Sequence, residues 1–581
     1  MKTTKQNRVL VLDGDMVPAL TIARSLRNRG CEVDICSTTR RPLAGYSRSV
    51  SESYEHPDPL TEEARFIDWL HMHTQSKRYS LVVPVTERSL VPISRHRARF
   101  EHVRVAMPSQ KSLELALDKE QTVALARQVN VPVPEGVTVS SLDELPGLLP
   151  SLQYPVVLKP ARSLGTDKSG SSQLKVSYAF DSAEVRAGCE HGLRFGPVLL
   201  QEYFRGEGVG IELIAKAGKI LYSFQHLRLH EVPLTGGGSS LRKSQVVEPV
   251  LLEAAERLVA ALEWDGVAMV EFKWNAGTRK FTLMEINGRF WGSLPLADAA
   301  GADFPSMLLD LELEGTLQSM QPYRPDVYCR KLSSDLYWYE AVMRGGEDPR
   351  IVELPSRREI IRELGLLFSL RHYFDVQSLR DPLPGLVDIG EVFVSYFHRL
   401  SALAREKWFL WRQRRAWRRG DVSRALANAE QILFVCYGNI NRSALAENLI
   451  RGYAEDVGVA VVSAGFHQVE GRPADPVMVD VARSRGRDLT SSSSIALSTE
   501  LLERSDVIFV MESEHMDRLK QWDDGCATRA WLLGAHSAGG RFGTEIADPY
   551  GKSRGLYERC YDQVAVAVDQ IKSVLALRQV G

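Results

Sequence analysis

Cysteine is scarce and unpaired in this 581-residue sequence: Cys31, Cys36, Cys189, Cys329, Cys436, Cys526 and Cys560, an odd number with no paired spacing. That excludes a disulfide framework and reads as the reduced thiols of a cytoplasmic protein. Long apolar runs are missing too. Residues 1–8 carry some positive charge, but the apolar run behind them spans only 9–12 before Asp13. This is too short for the core of a signal peptide, and no stretch reaches membrane-spanning length. An excess of one charge is also lacking: Lys+Arg 72 against Asp+Glu 73 leaves a net −1, so no global field argues for nucleic acid. The first strand-to-helix turn, Asp13-Gly14-Asp15-Met16-Val17, lacks the phosphate-gripping glycine fingerprint, which argues against a dinucleotide site there.

What is present is an ordinary globular composition, 44% hydrophobic and 25% charged, on a chain too long for one core. The fold class expected is α/β and α+β multidomain, divided at 1–108, 109–320, 321–429 and 430–581. In the first segment a strand at 9–12, an amphipathic helix at 19–29 stopped by Gly30, and strands at 32–36 and 79–85 alternate as in a parallel, doubly wound sheet. Residues 109–320 read as mixed α+β with hairpins and 330–400 as mostly helical. A second doubly wound α/β unit starts at Ile432.

The sharpest signal is 432–443, Ile-Leu-Phe-Val-Cys-Tyr-Gly-Asn-Ile-Asn-Arg-Ser. A buried strand runs into Cys436, and Arg442 and Ser443 lead into a helix over 444–451. So short a loop curls its backbone N–H groups around an oxyanion, and the helix N-terminus adds partial positive charge. The same field favours the thiolate of Cys436. Arg442 offers a planar fork to two phosphate oxygens, and Ser443 can donate to the sulfur. A phosphocysteine route also needs an acid for the leaving oxygen. Asp548, in the proline-stiffened Ala547-Asp548-Pro549-Tyr550-Gly551, is the candidate.

These residues, with Ser463-Ala464-Gly465, the 506–511 strand and the closing helix after Tyr557, resemble a low-molecular-weight protein-tyrosine phosphatase. The resemblance implies Cys436 as nucleophile, Arg442 as phosphate clamp and Asp548 as general acid. It also implies a phosphate loop of Tyr437, Gly438, Asn439, Ile440, Asn441 and Ser443, with Tyr437 and Tyr550 flanking the substrate ring. The family usually has a second cysteine just before the arginine. Here Asn441 stands there, so no protective disulfide within the loop is expected. Cys526 and Cys560 form no close pair of the kind that related arsenate reductases use.

A second signal is spread along the chain. Lys119 lies on a helix, Lys159 ends a strand at 154–160, and 161–172 reads as a loop with Gly165 and Gly170 that folds over phosphates. Gln201, Glu202 and Phe204 belong to a strand at 198–204 followed by Glu207, an edge suited to reading adenine through the backbone and ribose through a carboxylate. Strands at 267–273 and 281–287 form a hairpin about Asn275-Ala276-Gly277. Glu271 and Glu285 then sit opposite each other or nearly so, where cross-strand neighbours lie about 5 Å apart at Cβ. Asn287 shares the face of Glu285. Two carboxylates and an amide oxygen suit one or two Mg2+ ions, or Mn2+, bridging ATP phosphates, and Arg289 lies where it steadies the transferred phosphoryl group.

Together these residues resemble the ATP-grasp superfamily, in particular carboxylate ligases related to the synthetase half of carbamoyl-phosphate synthase. The resemblance implies ATP, a small-molecule carboxylate activated as an acyl phosphate, and attack by an amine or other nucleophile; such ligases are often homodimers. Residues 224–241, with His226, Arg228, Glu231 and Gly236-Gly237-Gly238-Ser239-Ser240, read as substrate-side loops.

The 405–419 stretch is basic with three tryptophans. A connecting helix with packed tryptophans and solvated arginines is favoured over a membrane-surface or anionic-partner segment. Two functions remain open. One is a bifunctional enzyme that ligates a carboxylate and hydrolyses a phosphomonoester. The other is a regulatory phosphatase acting on a phosphotyrosine protein, with the ATP-grasp part used for binding or sensing.

Overall fold

A computed structural model describes residues 7–160, 164–167, 170–173, 176–318, 320–346, 348–522, 525–536 and 543–579. They fall into two compact units, 1–393 and 394–581, a coarser division than the four segments expected.

The first unit opens on a parallel sheet ordered Glu52–Glu55, Glu32–Ser37, Arg8–Val11, Leu81–Val83. Val9, Leu10 and Val11 are fully buried, as a strand covered on both faces requires. Helix Val17–Asn28 begins slightly before the expected 19 because Pro18 suits the first helical turn. It ends ahead of Gly30, whose φ of 82° a side chain would resist.

The rest of this unit is built chiefly on two further sheets, one of four strands and one of seven. An antiparallel sheet is ordered Gly136–Val139, Val198–Glu202, Val156–Pro160, Ser177–Ala179. Val198–Glu202 is therefore an interior strand, with backbone pairs on both sides, and no free edge exists there to read adenine. Only from Tyr203 does the chain leave that sheet. In the expected 161–172 loop, Leu164–Asp167 and Gly170–Gln173 pair as an antiparallel hairpin; residues 161–163 and 168–169 lie outside the described residues. The seven-stranded sheet runs Lys280–Asn287, Gly266–Asn275, Glu207–Lys216, Lys219–Val232, Gly238–Gln245, Tyr328–Arg330, His372–Phe374. One expectation is corrected by it: most of 224–241 is strand rather than loop. The 330–400 segment is mostly helical, as expected, and adds strand His372–Phe374 at the sheet edge.

A buried histidine of strand Lys219–Val232 ties this sheet to helices Leu332–Arg344 and Arg357–Gly365. His230 Nδ1 lies 2.7 Å from Asp335 and Nε2 lies 3.0 Å from Glu363, with the Trp338 ring stacked at 3.4 Å. Carboxylates only accept, so both ring nitrogens must carry hydrogen and the ring is an imidazolium. Burial opposes that charge, but the bonds to Asp335 and Glu363 outweigh it and raise the pKa above its ordinary value.

The second unit has a parallel sheet ordered Ala460–Gly465, Gln431–Cys436, Val507–Val510, Ala530–Leu532. Helices Arg442–Asp456 and Arg554–Ala576 pack against each other beside it. The division at 393/394 falls within helix Pro382–Arg418. Of its three tryptophans only Trp417 is buried, stacked on Phe509; Trp408 and Trp411 are exposed, contrary to expectation.

A raised histidine pKa stabilises the fold fully below about 6.5, and the contribution is lost as pH rises through the folded value. In urea denaturation followed from acid to alkaline pH, the advantage of wild type over His230→Gln should shrink above pH ~6.5. The total loss is ~1.4 kcal/mol for each unit by which the pKa is raised.

Candidate active sites

In the second unit, strand Gln431–Cys436 ends at a buried Cys436 and helix Arg442–Asp456 starts just beyond. The chain must reverse between them, and Asn439 does so with φ 52°, a region that asparagine tolerates. Its amide then pins the turn. Nδ2 donates to Ser443 Oγ (2.9 Å) and Ser463 Oγ (2.8 Å), and Oδ1 accepts from the Ile495 N–H (2.8 Å). The Asn439 N–H points at Cys436 Sγ (3.2 Å), and Ser443 Oγ lies 3.0 Å from the same sulfur. Because Ser443 Oγ already accepts from Asn439, its own proton is free to go to the sulfur. Gly465 must be glycine: a Cβ there would meet Tyr437 O at 2.8 Å and Asn439 N at 3.0 Å.

Arg442 is 1% exposed and ties the remaining parts together. Nη2 donates to Asp548 Oδ2 (2.7 Å), and Nη1 donates to Ile546 O (2.9 Å) and to Glu512. Burial works against its charge, but Cys436, Asp548 and Glu512 outweigh it and keep its pKa above the usual range. Tyr437 and Tyr550 are both exposed, one on the phosphate loop and one beside Asp548. Gly438 O accepts from Arg472 Nη2 (2.6 Å). Asn441 is buried, and neither of its amide atoms has a partner among the described residues. Burial pushes the Cys560 thiol up to about 12, so it is no ready trap for an oxidised Cys436.

Several residues here escaped sequence reasoning. Tyr557, read only as the marker of the closing helix, accepts the Gly551 N–H (3.2 Å) and donates to Asp475 Oδ2 (3.0 Å). Burial and Asp475 push its phenol up to about 12. Asp475 in turn donates its N–H to Ile440 O (3.0 Å), so the loop of Asp548 is bonded through Tyr557 to the phosphate loop. Asp475-Pro476 at a helix start was a legible signal. Glu512 offered none beyond following a buried strand.

The first unit brings together the expected cation donors. Glu271 and Glu285 are directly opposite in register, and Asn287 Nδ2 reaches both, at 3.1 and 3.0 Å. Burial, opposed by Arg228 and reinforced by Glu285, raises the Glu271 carboxyl. Among the described residues no group of three or more His, Cys, Asp or Glu forms a cation site. The donor set is two carboxylates and an amide oxygen, hard ligands whose chemistry fits a divalent cation. Arg289 Nη2 donates to Asn287 Oδ1 (3.1 Å), and its Nε lies 3.3 Å from Glu87.

On the other sheet, burial and then the Lys119 charge lower the Lys159 pKa, while Glu285 pulls it back. Both lysines thus act on the same space as Glu285. Lys119 stands in the first turn of helix Lys119–Gln128, which Asp118 caps. Gln201, Glu202, Phe204 and Glu207 have no hydrogen bond or ion pair, among the described residues, to Glu271, Glu285 or Asn287. Arg228 reaches Glu271 (2.5 Å) and Glu231 (3.3 Å). It lies over Gly208, where a Cβ would meet its Cδ at 2.9 Å. Glu212, fully buried and bonded by Ser293 Oγ (2.6 Å), and Arg242, paired with Asp375, were also missed.

Residues 431–579 match the family model for low molecular weight phosphotyrosine protein phosphatase, and residues 194–334 match the model for ATP-grasp in the biosynthetic pathway with Ter operon. Over 138 residues the chain is 33% identical to a probable low molecular weight protein-tyrosine-phosphatase, EpsP, of Ralstonia nicotianae, covering 24% of this chain and 90% of that protein. Through its C-terminal part the chain belongs to the low-molecular-weight protein-tyrosine phosphatase family. To the phosphatase Etp of Escherichia coli K12 it is 36% identical over 130 residues, 22% of this chain and 84% of that one. Ahead of the phosphatase stands the ATP-grasp ligase module; both families are enzymes. The structure of an L-amino acid ligase from Bacillus licheniformis aligns at 14% identity over 54% of this chain and 75% of that one. Its TM-score is 0.41, too slight a likeness to carry an activity.

Asn439→Ala removes the pin of the phosphatase loop and should lower aryl-phosphate kcat/KM by ~100-fold, with the circular dichroism spectrum unchanged. Gly465→Ala should cost at least as much.

Proposed function

We propose a bifunctional enzyme: a phosphatase working through a phosphocysteine intermediate, and an ATP-dependent ligase joining a carboxylate to an amine or other nucleophile. The observation that carries the first half is Arg442, buried and bonded to Asp548 within the loop of Cys436. An incoming phosphate dianion competes for that guanidinium and frees Asp548 beside the leaving oxygen. The Cys436 thiolate then attacks phosphorus, the P–O bond to the leaving group breaks, and protonated Asp548 supplies its proton. Water attacks the phosphocysteine next, Asp548 takes its proton, and the departing sulfur regains the hydrogen bonds of Ser443 and Asn439. The exposed Tyr437 and Tyr550 would stack on a phosphotyrosine ring. The relatives' names, protein-tyrosine phosphatases, support a phosphotyrosine-type substrate.

In the ligase, Lys119 and Lys159 would bind the ATP phosphates and Glu271, Glu285 and Asn287 would hold Mg2+ or Mn2+. Bound there, the ion neutralises phosphate charge during transfer. Glu202 or Glu207 remains the candidate for ribose, with the backbone after Glu202 the candidate for adenine. Arg289 faces the phosphoryl group and Arg228 faces the substrate carboxylate. The carboxylate oxygen attacks the γ-phosphorus, ADP leaves, and the nucleophile displaces phosphate from the acyl carbon. The working division stays 1–108, 109–320, 321–429 and 430–581. A cytoplasmic setting is supported by seven free, buried cysteines.

On an aryl phosphate, Cys436→Ser should be inert and Asp548→Asn slowed ~100-fold or more. In the same preparations, ADP release with candidate amino and carboxylic acids should persist in Cys436→Ser and vanish in Glu285→Gln. Turnover of the aryl phosphate by Cys436→Ser at the wild-type rate would sink the phosphocysteine route, and ADP release indifferent to Glu285→Gln would sink the ligase assignment.

A further inference from the structure

From Val394 onward, helix Pro382–Arg418 belongs to the phosphatase unit and uses only one of its sides there. Phe409, Leu410 and Ala416 pack on the phosphatase core and Trp417 is buried in it. Gln413 Oε1 accepts the Leu532 N–H (3.0 Å), and Arg414 Nε donates to Thr544 Oγ1 (2.7 Å). At 3.6 residues per turn these residues lie opposite a second stripe made by Phe397, Leu400, Ala404, Trp408 and Trp411. The large members of that stripe are 70%, 63%, 57% and 48% exposed.

The cations are placed along the stripe. Arg405 and Arg412 fall on one edge and Lys407 on the other, while Arg415, Arg418 and Arg419 close its C-terminal end. The Arg412 and Arg415 guanidiniums sit over the Trp408 and Trp411 rings, each 4.8 Å from the centroid. Residues 397–419 hold eight Lys and Arg against the single Glu406.

An apolar ridge edged by cations does not suit a second copy of itself, because pairing would set eight cations against eight. Both features suit an anionic lipid surface. There the ridge enters the boundary of the acyl chains, tryptophans sit at headgroup depth, and Lys and Arg reach outward to lipid phosphates. No helix among the described residues is long and apolar enough to cross a membrane, so the helix would lie in the surface plane. We propose that the face formed by Phe397, Leu400, Trp408 and Trp411, flanked by Arg405, Lys407 and Arg412, docks this protein onto an anionic membrane surface. This reverses the reading of 405–419 favoured from sequence, since two of its three tryptophans have no packing neighbour in the phosphatase core.

The test is flotation of the full-length protein with phosphatidylcholine vesicles, with and without phosphatidylglycerol. The expected result is ~10-fold or more protein floating with the anionic vesicles, loss of that excess in high salt, and a blue shift of tryptophan emission. Phe397→Glu combined with Leu400→Glu should abolish flotation and leave aryl-phosphate hydrolysis untouched, and Trp408→Ala with Trp411→Ala should remove the emission shift. Equal flotation on both vesicle types, or none on either, overturns the proposal. So does a wild-type protein that is oligomeric by light scattering and becomes monomeric in the Phe397→Glu, Leu400→Glu variant, because a second copy would then cover the stripe.

Discussion

Closing the turn at Asn439 is the constraint on which the phosphatase depends. The turn aims one backbone N–H and one hydroxyl at Cys436 Sγ and starts helix Arg442–Asp456 with a buried guanidinium. A buried cation without partners would cost several kcal/mol, so Glu512 and Asp548 must stand beside it. Those acids hold the arginine in place for a phosphate, and one of them is the candidate proton donor. The hydrogen-bonded path from Gly551 through Tyr557 and Asp475 to Ile440 keeps the two loops in register. Positioning and chemistry therefore come from the same few bonds.

The ligase cleft uses unpaired charge differently. Glu271 and Glu285 face each other across adjacent strands, which alone is repulsive, and the charge of Lys119, on helix Lys119–Gln128, bears on Lys159 of the antiparallel sheet. Burial is the main reason that Glu271 is raised and Lys159 lowered, and the like charges of Glu285 and Lys119 add to it. A polyphosphate with a divalent cation relieves both repulsions together, which no neutral ligand does. Gly208, lying beneath Arg228 on strand Glu207–Lys216, leaves the floor of this site open to a long cationic side chain.

The helix at 394–418 adds a third use of charge, at long range and on the outside. Net charge over the whole chain is −1, so an average conceals the 397–419 segment with its eight Lys and Arg. Setting most of them along one apolar ridge, with Arg414 turned to the phosphatase core, produces a directional surface that the total does not reveal.

The phosphatase was legible because its chemistry is local. Cys436, Asn439, Arg442 and Ser443 lie within a single strand-loop-helix, where periodicity and spacing determine who meets whom. The hairpin bearing Glu271, Glu285 and Asn287 was legible for the same reason, since a short turn sets the register. Strands at 219–232, 328–330 and 372–374 were not, because whether a stretch of mixed polarity such as 224–241 pairs as strand depends on partners far along the chain. Glu512 and Tyr557 were hidden likewise: each acts through a contact with a residue distant in sequence, or through a loop whose path only packing decides. By itself the sequence determined the reacting groups and their local geometry, since these follow from backbone periodicity and turn chemistry. Only the tertiary structure decided which groups hold them in place, and which face of the 405–419 helix is left uncovered, because both depend on long-range packing.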